Sequence, residues 1–167
     1  AGSWREMEWM PGQKAGWVPI LGGRMDQERA MRDELSRLAG VELTSVAWSG
    51  DSRFAASADG RLWGVLDKGG TWRESQPGAG RIEQIWAHPD DPRVALAVTA
   101  GRAGLGPRVL RTVNGGVYWD DLTANLPPGP VTGLAVDRRT GAVYAATARG
   151  VFWTTAGLNA PSPAASW

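Results

Sequence analysis

The sequence contains no cysteine and one histidine, and these absences exclude several kinds of chemistry. Without cysteine the chain forms no disulfide, no thiolate nucleophile and no cysteine-ligated zinc site. The single histidine, His88, lies in a segment rich in proline and aspartate, which predicts a turn. A metal site that combines His88 with Asp90 or Asp91 is the less favoured alternative. Because a lone histidine nominates no Ser/His/Asp triad, we predict no catalytic residue, no cofactor and no bound metal.

Charge and hydropathy exclude two further classes of partner. The 18 basic and 17 acidic residues leave a net charge of +1, and no basic stripe stands out. The sequence therefore gives no electrostatic argument for nucleic acid binding. No run of about eighteen or more apolar residues occurs, which predicts no membrane-spanning helix. No basic and apolar leader stands at the start, so we expect any signal peptide to have been cleaved or to lie outside this sequence.

Glycine, proline and tryptophan are abundant, with 23, 11 and 10 residues respectively. Glycine and proline at this level predict many short strands joined by turns. The tryptophan content predicts that indole rings form much of the packing.

Two stretches of related sequence each predict a tight hairpin. In both, an acidic or amide residue opens a turn whose glycines can adopt the positive φ that two-residue hairpin loops require. A strand that carries a tryptophan is expected to follow each turn. These residues are Asp67, Gly69, Gly70 and Trp72 in the first stretch and Asn114, Gly115, Gly116 and Trp119 in the second.

The pattern Ser/Thr-x-Asp-x-Gly-x-x-Trp is the Asp-box, and at these stretches the chain resembles the BNR/Asp-box families of β-propellers. The first box has Val65 where Ser or Thr is expected, and the second has Asn in place of Asp. In such families the boxes lie away from the functional face, so the resemblance implies structural residues. The matching positions are Asp67, Gly69 and Trp72, and then Thr112, Asn114, Gly116 and Trp119.

An internal repeat supports this resemblance. Trp72 and Trp119 are 47 residues apart, and Trp119 and Trp167 are 48 apart, which fits one four-stranded blade of roughly 40 to 50 residues. Alternation of apolar with polar or small residues predicts three strands before each box position. The predicted strands are 43–48, 53–57 and 61–66; 82–87, 93–98 and 108–112; and 131–136, 142–147 and 150–154.

The sequence thus predicts an all-β protein of about three four-stranded propeller blades in an incomplete ring, with one short inserted helix. Residues 1–24 are expected to hold the outer strand of a preceding blade and a Trp-rich connection. The helix is predicted at 25–40. Two blades with Asp-boxes are predicted at 41–80 and 81–129, and a degenerate or incomplete blade at 130–167.

The predicted helix is amphipathic. Asp26 can cap its start and Gly40 can end it, while Met31, Leu35 and Leu38 recur at helical spacing. We favour a surface helix that covers an exposed part of the ring, and a helix that docks a partner is the alternative.

The two ends of the sequence are complementary. The third repeat lacks a box, and the chain ends at Trp167, where its fourth strand should begin. Residues 3–6 echo residues 71–74, so a strand at the N-terminus could supply the strand missing at the C-terminus. Three blades cannot close a ring of the usual four to eight. We therefore expect further copies, or further chain segments, to complete the propeller.

The tryptophans outside the boxes allow two interpretations. They can pack between blades, which we favour, or those near the start can form a platform on which sugar rings stack. The first interpretation covers Trp4, Trp9, Trp17, Trp48, Trp86 and Trp153.

Carboxylates that could act in glycoside hydrolysis are dispersed over turns, although that chemistry needs a positioned pair. They are Asp51, Asp59, Asp90, Asp91 and Asp137. Sialidase activity brings an arginine cluster and a Tyr/Glu pair, whereas the only tyrosines here, Tyr118 and Tyr144, fall in a box and a strand.

Two functions remain open. The blades resemble those of sortilin-type ectodomains and photosystem assembly factors, where loops on one face hold a protein partner. This resemblance implies a non-catalytic binding or assembly module with an extracellular or periplasmic location. The alternative, by resemblance to xyloglucanases, is part of a carbohydrate-active propeller, either a glycoside hydrolase or sialidase-like, with a glycan as ligand. We favour the non-catalytic module.

Overall fold

The computed structural model describes residues 22–67, 70–78, 80–101, 108–160 and 164–167. Over these residues the chain forms one helix, α1 (Gly22–Ala39), followed by three antiparallel sheets. The predicted all-β class with one inserted helix is confirmed. The predicted strand at residues 3–6 and the tryptophans at positions 4, 9 and 17 lie outside the described residues.

Each sheet is a meander in which the spatial order of the strands follows the sequence. We call the sheets blades 1, 2 and 3. Blade 1 consists of β1 (Leu43–Ser49), β2 (Ser52–Ser57), β3 (Leu62–Val65) and β4 (Arg73–Ser75). Blade 2 consists of β5 (Ile82–Ala87), β6 (Ala95–Thr99), β7 (Val109–Thr112) and β8 (Asp120–Asp121). Blade 3 consists of β9 (Val131–Val136), β10 (Val143–Thr147) and β11 (Gly150–Thr154), so its described part has three strands.

The first strands of the blades pack side by side, β1 against β5 and β5 against β9. The side chains of Ser45 and Gln84 link them. The Ile85 amide donates to Ser45 Oγ at 3.1 Å. Gln84 bonds both the amide and the carbonyl oxygen of Leu134, at 2.8 and 3.1 Å. The sheets are therefore arranged as propeller blades around one axis, and the described blades do not close a ring.

Every blade has two packing faces, because successive side chains of a strand point to opposite faces. We call the face toward the next blade in sequence the forward face and the opposite face the rear face. The forward face of blade 1 packs on the rear face of blade 2 in one core, which contains Phe54, Ala56, Leu62, Ile82, Ile85, Ala95, Ala97, Leu110 and Trp119. A second core joins blades 2 and 3 and contains Val94, Leu96, Val98, Val109, Val131, Leu134, Val143, Ala145 and Leu158.

A buried arginine crosses the interface between blades 2 and 3. Arg111 is fully buried, and its Nη1 donates to the carbonyl oxygens of Leu158 and Ala160 at 3.0 and 2.6 Å. Its Nη2 pairs with Asp120 at the edge of blade 2. The free-energy cost of burying this cation is offset by its ion pair and its hydrogen bonds. The hydrogen bonds also hold the loop after β11 against β7.

The C-terminal residue also packs at this interface, and it lies outside any strand. The indole Nε1 of Trp167 donates to the Leu122 carbonyl oxygen at 2.9 Å, and its backbone amide donates to Asn125 Oδ1 at 2.8 Å. Trp72 and Trp119 likewise immediately precede β4 and β8. The prediction that these tryptophans lie within the strands is therefore wrong, since the pairing begins one residue later.

Helix α1 covers the inner part of the rear face of blade 1. Leu35 and Ala39 pack against a small cluster formed by Leu43, Ala55 and Trp63. The Leu43 amide donates to the hydroxyl of Ser36 at 3.3 Å. This packing favours the interpretation of α1 as a surface helix that covers part of the propeller. No helix among the described residues is long and apolar enough to cross a membrane.

The helix boundaries differ from the prediction at the start and agree with it at the end. The helix begins at Gly22, so Asp26 lies within it and does not cap it, because a capping residue has non-helical backbone angles. Gly40 follows the last turn with φ +65°, the left-handed conformation that glycine adopts at low cost. Met31 is partly buried, and the side chain of Leu38 lies outside the described residues.

Candidate functional site

The second box forms a hydrogen-bonded loop that connects β7 and β8. The Thr112 hydroxyl donates to Asn114 Oδ1 at 2.9 Å and accepts from the Gly116 amide at 2.9 Å. The Tyr118 amide donates to Asn114 Oδ1 at 3.0 Å. Gly115 and Gly116 have φ of +72° and +88°, as the sequence predicts. The loop spans residues 113–119, so the prediction of a two-residue hairpin loop is wrong. The side chains of Thr112 and Asn114 close this longer turn in place of strand pairing.

The first box is less completely described, because Gly69 lies outside the described residues. The Gly70 amide donates to the Asp67 carbonyl oxygen at 2.9 Å and closes a turn. Gly70 does not have the predicted positive φ, since the hydrogen bond to Asp67 forms without it. Trp72 is partly buried beside the cluster on the rear face of blade 1, and Val65 offers no hydroxyl to the loop.

The second box also holds blades 1 and 2 together. Trp119 is buried in the core between these blades. A Cβ atom on Gly64 of β3 would overlap the Gly115 carbonyl oxygen and would lie 3.1 Å from the Gly116 Cα. The backbones of β3 and the box loop are therefore in direct contact, and Trp119, Gly115 and Gly116 contribute to the packing between blades 1 and 2.

The forward face of blade 3 is an apolar surface on which no other described segment packs. The strand registers place Phe54, Leu96 and Tyr144 at the same position in successive blades, because their strand neighbours align. Phe54 and Leu96 are fully buried, whereas Tyr144 is 36% exposed. The position of Leu62 and Val109 is taken in blade 3 by Val151, which is 67% exposed. Trp153 is 58% exposed at the position of Gly64 and Arg111.

The exposure of Trp153 contradicts the prediction that it packs between blades, because no described segment covers this face. The same prediction is confirmed for Trp86, which packs against the core of blades 2 and 3. A groove of about 430 Å³ runs along β11, the outer strand of blade 3, and Ser166 and Trp167 form its other side. This groove lies where the fourth strand of a complete blade would pair.

A cleft of about 290 Å³ lies between blades 2 and 3 at the end of the sheets that carries the β5–β6 and β9–β10 turns. His88, Asp90, Asp137 and Asn159 contribute to its lining. His88 Nδ1 accepts hydrogen bonds from the amides of Asp90 and Asp91 at 3.1 and 3.0 Å. The neutral ring therefore carries its proton on Nε2. No group of three or more potential metal ligands occurs among the described residues.

The five carboxylates nominated from the sequence lie on four turns, and Asp90 and Asp91 share the β5–β6 turn. The hydrogen bond from Arg93 lowers the pKa of Asp91, and that from Arg61 lowers the pKa of Asp59. The Thr140 hydroxyl and the Arg139 amide lower the pKa of Asp137. Asp51 is exposed on the β1–β2 turn. The cleft brings Asp90 and Asp137 together, and the remaining nominated carboxylates lie elsewhere.

A second cavity, of about 330 Å³, separates α1 from the outer strands of blade 1. Its lining includes Trp63, Trp72, Arg61 and Glu74. Trp63 Nε1 donates to Glu74 Oε2 at 3.1 Å, and the Arg61 guanidinium lies 5.1 Å from the centre of the Trp63 ring. Helix α1 thus leaves the outer part of this rear face uncovered.

Comparison with solved structures supports the fold. The GH74 xyloglucanase from Xanthomonas campestris is 22% identical with a TM-score of 0.55, and the match covers 84% of this chain and 22% of that one. The computationally designed Ika4 protein is 15% identical with a TM-score of 0.50, over 74% of this chain and 70% of that one. YCF48 bound to D1 peptide is 20% identical with a TM-score of 0.47, over 68% and 36%. The chain therefore spans about a third of YCF48 and a fifth of the xyloglucanase. No family model and no curated protein matches it.

Proposed function

We propose that this chain is a non-catalytic β-propeller module, a subunit or fragment of a larger propeller, that engages a protein partner. The observation that carries the proposal is the forward face of blade 3, where Tyr144, Val151 and Trp153 are exposed. The corresponding side chains of blades 1 and 2 are buried between sheets. A contiguous exposed apolar patch of this kind marks an interaction surface, and Trp and Tyr are enriched among residues that dominate binding energy.

The lowered pKa values of three aspartates in the turns support a non-catalytic function. A general acid in glycoside hydrolysis needs a raised pKa so that it holds a proton near neutral pH. The pKa values of Asp59, Asp91 and Asp137 are instead lowered, by hydrogen bonds from Arg61, Arg93 and Thr140 respectively. These carboxylates stay ionised and fix the turns in which they lie.

We place a second contact with the partner in the loop cleft between blades 2 and 3. Its walls are turns on one face of the propeller, and Asp90, Asp137 and Arg138 line it beside the imidazole of His88. Charged groups and hydrogen-bonding groups of both types in a concave site suit a polar segment of a polypeptide. We assign the turns that line this cleft to the partner-binding loops on one face that the sequence resemblance implies.

We also propose that the chain is of the BNR/Asp-box type, with an extracellular or periplasmic location. The hydrogen bonds of Thr112 and Asn114 in the second box support the first part. The location rests on the resemblance alone, and fractionation of the source cells tests it.

An affinity capture experiment with matched variants tests the protein-binding function. The tagged chain and a V151D/W153D variant are compared with V117D/Y118D, which carries the same chemical change on an exposed apolar pair in the box loop. We expect the wild type and V117D/Y118D to retain the same polypeptide and V151D/W153D to lose it. Equal retention by all three would contradict the assignment of this face.

The alternative is a glycan-binding part of a carbohydrate-active propeller. It is supported by the convergence of Asp90 and Asp137 on one cleft whose lining also includes Trp86. Binding on a glycan array, or release of reducing sugar from a polysaccharide, would favour it, and a D137N variant should then lose the signal. Absence of both signals leaves the protein-binding module.

A further inference from the structure

Helix α1 and the forward face of blade 3 lie at opposite ends of the row of blades. Blades that join head to tail need one free forward face and one free rear face. Within the described part of the chain nothing packs on the forward face of blade 3, where Val151 and Trp153 are exposed. The rear face of blade 1 is the surface that a preceding blade would contact, and α1 packs on it through Leu35 and Ala39.

The interfaces within the chain show which surface fits the free face. Both pair a forward face with a rear face whose two inner strands carry aliphatic and small side chains. At the three repeated positions these are Ile82, Ile85 and Ala97 in blade 2 and Val131, Leu134 and Ala145 in blade 3. The corresponding residues of blade 1 are Leu43, Val46 and Ala55, and these lie against α1. In a second copy the inner part of the rear face of blade 1 is therefore covered by α1 and cannot receive the forward face of blade 3.

We propose that α1 is a blocking element that prevents head-to-tail association of this chain. The forward face of blade 3 then receives a propeller blade from outside these 167 residues, whose inner strands carry aliphatic and small side chains on the rear face. This inference rests on the proposed function, and it adds the kind of partner and the role of the helix.

The contact between α1 and blade 1 is limited, which makes the blocking role testable. The helix packs on β1, and a cavity of about 330 Å³ remains between it and Trp63 and Trp72. The rear face of blade 2, in contrast, buries Leu110 and Trp119 at the corresponding outer positions. Substitutions at the helix side of the contact should therefore free the rear face without altering the interblade cores.

The test compares solution mass by light scattering on a sizing column over a concentration series. The variants are L35D/A39D, which places two carboxylates in the contact, and Q27D/A30D, which places the same charge at exposed helix positions. We expect the wild type and Q27D/A30D to elute as monomers of 17.8 kDa. L35D/A39D should form larger multiples, and W153D added to L35D/A39D should restore the monomer.

Circular dichroism checks the folding of each variant, and L35A provides a milder change if L35D/A39D fails to fold. With L35A we expect a smaller, concentration-dependent rise in mass. A folded L35D/A39D or L35A that stays monomeric throughout would overturn the blocking role. A wild type that associates through Trp153 would also overturn the inference, although the proposed protein-binding function would stand. The capture experiment with V151D/W153D tests that function separately.

Discussion

At the residue scale, one acceptor atom makes two of the hydrogen bonds that hold the second box. Asn114 Oδ1 accepts from the Thr112 hydroxyl and the Tyr118 amide. An N114A variant loses both bonds, and we expect its free energy of unfolding to fall by about 1 kcal/mol. N114D keeps the acceptor oxygens and should stay within about 0.5 kcal/mol of the wild type. Urea denaturation measures both values. An equal loss in the two variants would show that the acceptor is unimportant.

The aspartates of the turns predict how stability depends on pH. The hydrogen bond from Arg93 lowers the pKa of Asp91, and Arg61 acts in the same way on Asp59. A carboxyl group whose folded pKa lies below its unfolded value stabilises the fold above the unfolded value. That stabilisation is lost as pH falls through the folded pKa.

We therefore expect the unfolding free energy to be level above about pH 5 and to decline as the pH falls below about 4. Denaturation midpoints over this range measure the decline. D91N should reduce the decline, whereas D51N, at an exposed turn position, should leave it as in the wild type. A pH-independent midpoint down to about pH 3 would refute this account.

At the element scale, β3 and the box loop meet at a contact that admits no side chain. A Cβ atom on Gly64 would overlap the Gly115 carbonyl oxygen, and neither backbone can move without opening the core of blades 1 and 2. We expect G64A to lower the unfolding free energy by about 3 kcal/mol. G133A is the control, because its Cβ would meet Ala146 Cβ at 3.4 Å in ordinary contact. Similar losses in both variants would argue against the close approach.

At the scale of the whole molecule, the position of a blade in the row determines how much its side chains contribute to the free energy of unfolding. Leu96 and Tyr144 occupy the same forward position, but Leu96 is fully buried and Tyr144 is exposed. We expect L96A to lower the free energy of unfolding by about 3 kcal/mol because it leaves a cavity. Y144A should lower it by less than about 1 kcal/mol. Thermal and urea denaturation of the two variants check this difference. A large loss in Y144A would mean that this face is already covered in solution.

The first three strands of each blade and the class of fold could be predicted from the sequence. Alternation of apolar and polar residues fixed which side chains share a face of each sheet, since successive side chains of a strand point to opposite faces. The 47- and 48-residue spacing of Trp72, Trp119 and Trp167 determined the repeat. These features are local or periodic, and for that reason they can be read without coordinates.

The contacts of each face could not be predicted in this way. Trp86 and Trp153 both lie on forward faces, and one packs against a core whereas the other is exposed. Burial depends on whether another element packs against the face, which the local pattern does not encode. The contact of Gly64 with Gly115 joins positions that are distant in sequence. The placement of α1 on the rear face of blade 1 likewise follows from long-range packing, because its short apolar stripe fits more than one surface.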